Sequence, residues 1–151
     1  MSVLKIVEYP DPLLTLKCSP VTEFDNTLHT LINDMVDTMN AYNGIGLAAP
    51  QVGILKQLFI INYNGRSLTL INPKIITKKG QSRMEEGCLS IPGVLVNVER
   101  AAEVEVEAVN QYNIPIHLHE KEMIATIIQH EYDHLEGILI TDKGPSIPIE
   151  E

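Results

Sequence analysis

Apolar residues recur at helical spacing between residues 28 and 39: Leu28, Leu31, Ile32, Met35 and Met39, with Val36 flanking the stripe. That pattern predicts an amphipathic helix whose methionines fill a core. Asp25 or Asn26 stands ready as its cap, and Asn43-Gly44 is the expected stop, with Gly44 supplying a left-handed residue. From Gln57 the period changes. Leu58-Phe59-Ile60-Ile61 is a short apolar run, Asn64-Gly65 marks a hairpin, and Leu68 to Ile71 returns. Asn72-Pro73 is expected to break that strand before Lys74 to Thr77 resumes it. Val94 to Val98 reads as a further strand. Val104, Val106 and Ala108 then alternate with Glu103, Glu105 and Glu107, as on a sheet with one wet face. Asn113 to Leu118 is expected to add another strand, with Ile114, Ile116 and Leu118 inward. A run without Gly or Pro, Glu120 to Ile128, reads as a second helix continuing through His134.

The ends read differently. Pro10, Pro12 and Pro20 make the first twenty residues an extended lead-in with at most one helical turn at Leu13-Leu14. Pro145, Pro148 and two terminal acids predict a frayed tail over 144–151. The whole, residues 1–151, fits one domain. No apolar stretch is long enough to span a membrane, and the start lacks a signal-peptide pattern, so a cytoplasmic protein is expected. A net charge of -9 without a basic cluster argues against a nucleic-acid footprint. Two cysteines, Cys18 and Cys88, make no disulfide framework. Cys18 reads as core filler.

The chemistry concentrates in Gln129-His130-Glu131-Tyr132-Asp133-His134. On a helix, His130 and His134 lie one turn apart on one face and can hold a single metal ion. Glu131 beside them can handle protons for a water at that ion. Two imidazoles need a further ligand. The pattern that places a third histidine after H-E-x-x-H-x-x-G fails, because its position is Ile140. His117 and His119 alternate outward on their predicted strand, and His29 sits on an exposed helix face. Cys88 remains, in Glu85-Glu86-Gly87-Cys88-Leu89-Ser90, expected at a strand end or loop; its thiolate completes a site with one open position. The small-residue stretch Gly44-Ile45-Gly46-Leu47-Ala48-Ala49-Pro50-Gln51 lets a ligand approach the backbone, or simply forms a tight loop under the core.

Together, Gly44-Ile45-Gly46-Leu47-Ala48-Ala49-Pro50-Gln51, Glu86-Gly87-Cys88-Leu89-Ser90 and His130-Glu131-Tyr132-Asp133-His134 resemble the three signature motifs of peptide deformylase, in the family's order. The likeness runs from about residue 3 to residue 142. It implies an α+β fold, a mostly antiparallel sheet wrapped around a central metal-binding helix. It implies removal of the formyl group from N-formylmethionine on nascent chains. It implies one divalent ion, ferrous iron in the family, with zinc, nickel or cobalt able to take its place. Members usually continue into a C-terminal helix. The resemblance is therefore closest to short, phage-like forms, which would work in a host cytoplasm and lack that helix for ribosome docking.

On this resemblance Cys88, His130 and His134 bind the metal, and Glu131 shuttles the proton. The Gln51 amide and the Leu89 backbone N–H meet the formyl oxygen. Gly44, Ile45 and Gly46 line the peptide, and Glu86 and Gly87 lie alongside. Glu86 pairs with Arg100 or is a surface ion pair; Asp133 braces the site or is helix surface. Met123, Thr126 and Ile127 precede His130 by seven, four and three residues, so with Ile45 they are expected to form the methionine pocket. Two other readings compete: another metal-dependent amidase or peptidase with the same ligands, and a binding relative that has lost catalysis.

Overall fold

The structure, a computed structural model, describes residues 2–149. It contains two α-helices, α1 (Asn26–Ala41) and α2 (Glu122–Leu135). The strands are β1 (Gly46–Ala48), β2 (Leu58–Tyr63), β3 (Arg66–Lys79) and β4 (Ser82–Cys88). They continue with β5 (Ile91–Arg100), β6 (Glu103–Val109), β7 (Pro115–Lys121) and β8 (Ser146–Pro148). One sheet has the order β1-β2-β3-β6-β7, the other β4-β5-β8, and every pairing within them is antiparallel. The expected α+β class is the observed one.

The apolar run in β2 explains why the large sheet has two covered faces. Phe59 and Ile61 point towards α2 and meet Ala125, Ile127 and Ile128. Leu58 and Ile60 point the other way and meet Leu28, Ile32, Met35 and Met39 of α1. Each such side chain contributes roughly 1.5–3 kcal/mol on leaving water. The pattern predicted on α1 is thus its buried stripe, except that Leu31 is only partly buried. Asp25 caps α1, its carboxylate accepting the Leu28 N–H at 3.1 Å. The stop differs in detail: Asn43, with φ 55°, takes the left-handed position expected of Gly44.

Four other expectations are corrected. β3 does not break at Asn72-Pro73. The register shifts between Ile71 and Lys74, Asn72 adopts φ 52°, and its side-chain amide ties to both N–H and C=O of Val21 at 2.8 and 2.9 Å. That bulge secures the lead-in to the sheet. Glu120 and Lys121 finish β7 rather than opening α2; Glu122, at φ 57°, turns the chain from strand to helix. Ile114 precedes β7 and is exposed, whereas Ile116 and Leu118 pack inward. Finally, the segment expected to fray forms β8, pairing Ser146, Ile147 and Pro148 with Val96, Leu95 and Val94. Residues 150 and 151 of that segment lie outside the described residues. No helix among the described residues is long and apolar enough to cross a membrane.

Candidate metal centre

α2 carries its chemistry on the end that meets the small sheet. Gly137, at φ 75°, terminates the helix against the backbone of Thr15, a place with no room for a Cβ. Cys88 ends β4, as expected for a ligand at a strand end. Its Sγ lies 3.3 Å from His134 Nε2, and one donor atom each from Cys88, His130 and His134 falls within 4.8 Å of the others. A divalent ion bound by sulfur at about 2.3 Å and imidazole nitrogen at about 2.0–2.1 Å needs donors spaced in this way, and one thiolate with two imidazoles suits a borderline-soft cation. The residues present therefore fit such an ion.

The ligands are held unequally. His130 Nδ1 lies 2.9 Å from Glu86 Oε1. An ionised carboxylate only accepts, so Nδ1 carries the proton and Nε2 keeps a lone pair for the ion. Glu86 is itself gripped by Arg100, at 2.7 and 2.9 Å, and Arg100 reaches Asp133 at 2.8 Å. This chain of charges crosses from α2 to β4 and β5. The Glu86–Arg100 pair is buried, and Asp133 belongs to the network rather than to bare helix surface. Glu86 has both oxygens committed, to Arg100 and to His130. Burial works against its charged form, but His130 and Arg100 prevail and hold its carboxyl below the usual range. By contrast His134 Nδ1 is buried with no hydrogen-bond partner among the described residues, and the polar contact of that ring is on its other nitrogen, Nε2, with Cys88 Sγ. Burial above all, with the Arg100 charge adding to it, holds His134 well below the usual imidazole range and so neutral.

Glu131 is 4% exposed, and its Oε1 has no partner among the described residues. Burial pushes its carboxyl up to about 7. A bound divalent cation would favour the ionised carboxylate, the form that accepts a proton. Its other oxygen explains Gly46: a Cβ there would stand 2.7 Å from Glu131 Oε2. Gly46→Ala is accordingly expected to fold and bind metal but to lose roughly tenfold or more in turnover, by displacing the base from a geometry that tolerates little error. Turnover at the wild-type level would show that Glu131 has slack there.

Gln51 occupies a short 3-10 turn after β1 and is buried. Its Oε1 accepts the Ala48 N–H at 2.9 Å, which fixes the flip of the amide. Nε2 then faces Ser90 Oγ at 3.2 Å and Cys88 Sγ at 3.6 Å. Sequence reasoning did not give Ser90 a role, although it closes the second motif. The three histidines set aside are indeed elsewhere. His117 and His119 project outward and pair with Glu105 and Glu103; His29 meets the Gln111 carbonyl. Cys18 sits in the core, its thiol pushed up to about 11 by burial and by Glu136.

A cavity of about 570 Å³ opens over these groups. Cys88, His130, Glu131 and Gln51 form its polar end. Gly44, Ile45 and Gly46 line one side, and Glu86, Gly87 and Leu89 line another. Met123, Thr126 and Ile127, from the turns of α2 before His130, also line it. All the sequence-predicted site residues except His134, which lies behind, share this cavity. Ile149, just past β8, also lines it, which sequence patterning missed. Deleting Ser146 to Glu151 is therefore expected to leave fold and metal content intact while raising KM for tripeptides severalfold, through loss of about 1 kcal/mol of apolar contact. An unchanged KM would return this segment to the role of a loose tail.

Residues 3–147 match the family model described as Polypeptide deformylase. A peptide deformylase of Carboxydothermus hydrogenoformans is 42% identical over 97% of this chain and 97% of its own length. One from Acetivibrio thermocellus is 46% identical, over 95% of this chain and 84% of its own. Among solved structures, the peptide deformylase of Thermotoga maritima superposes with a TM-score of 0.93 at 37% identity, covering 95% of this chain and 98% of that one.

Proposed function

The chain belongs to the polypeptide deformylase family, and we infer from that membership and from the site that it is a metal-dependent hydrolase removing the formyl group from N-terminal formylmethionine of nascent polypeptides. The observation that carries the reading is the buried, unpartnered carboxylate of Glu131 beside the convergent donors of Cys88, His130 and His134. We take residues 1–151 as one catalytic domain working in the cytoplasm, where formylated chains emerge. Ferrous iron is the native ion on this reading; zinc, nickel and cobalt suit the same donors.

When bound, the ion supplies Lewis acidity, polarising the formyl carbonyl and acidifying a water at neutral pH. Glu131 accepts a proton as the water's oxygen bonds to the formyl carbon. It returns that proton to the methionine nitrogen as the C–N bond breaks, giving formate and a free amine. Gln51 Nε2 and the Leu89 N–H donate to the formyl oxygen as negative charge develops on it. Gly44, Ile45, Gly46 and Gly87 offer bare backbone along the peptide. The methionine side chain enters the recess of Met123, Thr126, Ile127 and Ile45. Glu86 keeps His130 in the binding tautomer.

The test compares formyl-Met-Ala-Ser with acetyl-Met-Ala-Ser on anaerobically purified protein. Formate release with at least roughly a hundredfold preference over acetate release supports this reading, since a site shaped around a lone hydrogen rejects a methyl by steric exclusion. Equal rates would favour a general amidase, and neither product a binding protein.

A further inference from the structure

Strands β6 and β7 carry different chemistry on their two sides. Val104, Val106, Ile116 and Leu118 pack towards α2. The opposite face is wet and holds Glu103, Glu105 and Glu107 of β6 in register with Lys121, His119 and His117 of β7. None of these six lines the catalytic cavity. The sheet therefore separates them from the metal centre.

His117 and His119 are exposed and two residues apart on a strand, so their side chains leave the same face roughly 6.6 Å from each other. His117 Nε2 already lies 2.6 Å from Glu105 Oε2. His119 meets Glu103, but its register partner is Glu105. Directly opposed side chains start from Cβ atoms about 4.5–5.5 Å apart. Turning one exposed ring thus brings two imidazoles and one carboxylate to a common point. The surrounding charges single out Glu105. Glu103 lies in register between Lys79 and Lys121, and Lys121 Nζ approaches it at 4.0 Å. Glu105 lies in register between Thr77 and His119, with no Lys or Arg across from it, and its Oε1 accepts from Thr77 Oγ1 at 3.3 Å. We propose that His117, His119 and Glu105 form an auxiliary site for a transition-metal dication such as nickel or zinc. Two imidazoles and a carboxylate are a sufficient set of protein donors for such an ion. An ion there ties the edge strand β7 to β6 just before Glu122, where the chain turns into α2. With no thiolate among its donors, this site fills only after the metal centre. The proposal does not depend on the deformylase reading.

Nickel stands above ferrous iron and cobalt in affinity for nitrogen and oxygen donors, so it is the probe. Metal-free protein dialysed against rising nickel is expected to take up one equivalent tightly and a second more weakly. His117→Gln and His119→Gln should each weaken the second uptake by roughly tenfold or more, and the double variant should abolish it. The first equivalent should be unchanged throughout, which reports an intact fold in every variant. Glu105→Gln should weaken the second uptake too, whereas Glu103→Gln, which frees His119, should not. His29→Gln removes an imidazole elsewhere and should leave both equivalents in place, which separates a built site from nickel gathered by any histidine or by the net charge of -9. A single equivalent in the wild type, a second equivalent that survives the double histidine variant, or equal losses from the two glutamate variants overturns the proposal.

Discussion

Glu131→Gln is expected to keep its fold and its metal and to lose roughly two or more powers of ten in kcat/KM. The glutamine is isosteric, so Gly46, whose absent Cβ leaves room for the carboxylate, is not disturbed. What disappears is the capacity to accept a proton. The wild-type carboxylate is costly to keep: Oε1 is buried without a partner among the described residues, and burial, outweighing His130 and Arg100, pushes the group up to about 7. A structural residue would have been satisfied by a donor; a base waits for one. Removing this charge should not destabilise the protein, so thermal stability at or above the wild type's is expected alongside the loss of rate. Metal-loaded Glu131→Gln with turnover near the wild type's would eliminate the proton-shuttle role.

Cys88→Ala is expected to abolish stoichiometric metal binding. The thiolate is the only anionic member of the donor set, and its Sγ lies 3.3 Å from His134 Nε2. Without it, two neutral imidazoles remain, one short of the usual minimum of protein ligands. Cobalt reports the change directly. The wild type should show a sulfur-to-cobalt charge-transfer band and one equivalent of metal, and the variant neither. Cys18 cannot substitute, since it lies in the core outside the cluster of donors, with its thiol raised to about 11. An unchanged cobalt spectrum in Cys88→Ala would remove Cys88 from the site.

α1 was legible because period and cap agreed. α1 could be placed by its stripe and by Asp25. The site was legible for a related reason: a one-turn histidine spacing is itself a geometric statement, needing only a helix to become a face. β2 was readable as apolar, but its two covered faces were not, since periodicity cannot say which element lies opposite. β8 was missed because Pro148, which would break a helix, is tolerated at a sheet edge. The bulge at Asn72 was misread as a break, since the stabilising partner, Val21, is remote in sequence. The same limit hid Ser90 and Ile149. The Glu86–Arg100 pair was legible as one of two readings, but the contact of Glu86 with His130 was not, because the two residues are remote in sequence.

The central claim is that one ion, held by Cys88, His130 and His134, makes this cavity a deformylase. Its most direct test is formate release from formyl-Met-Ala-Ser by metal-free protein titrated anaerobically with ferrous iron. Activity is expected to rise linearly from near zero and to break at one equivalent per chain. Full activity in the metal-free protein, or no formate at any iron concentration, would contradict it.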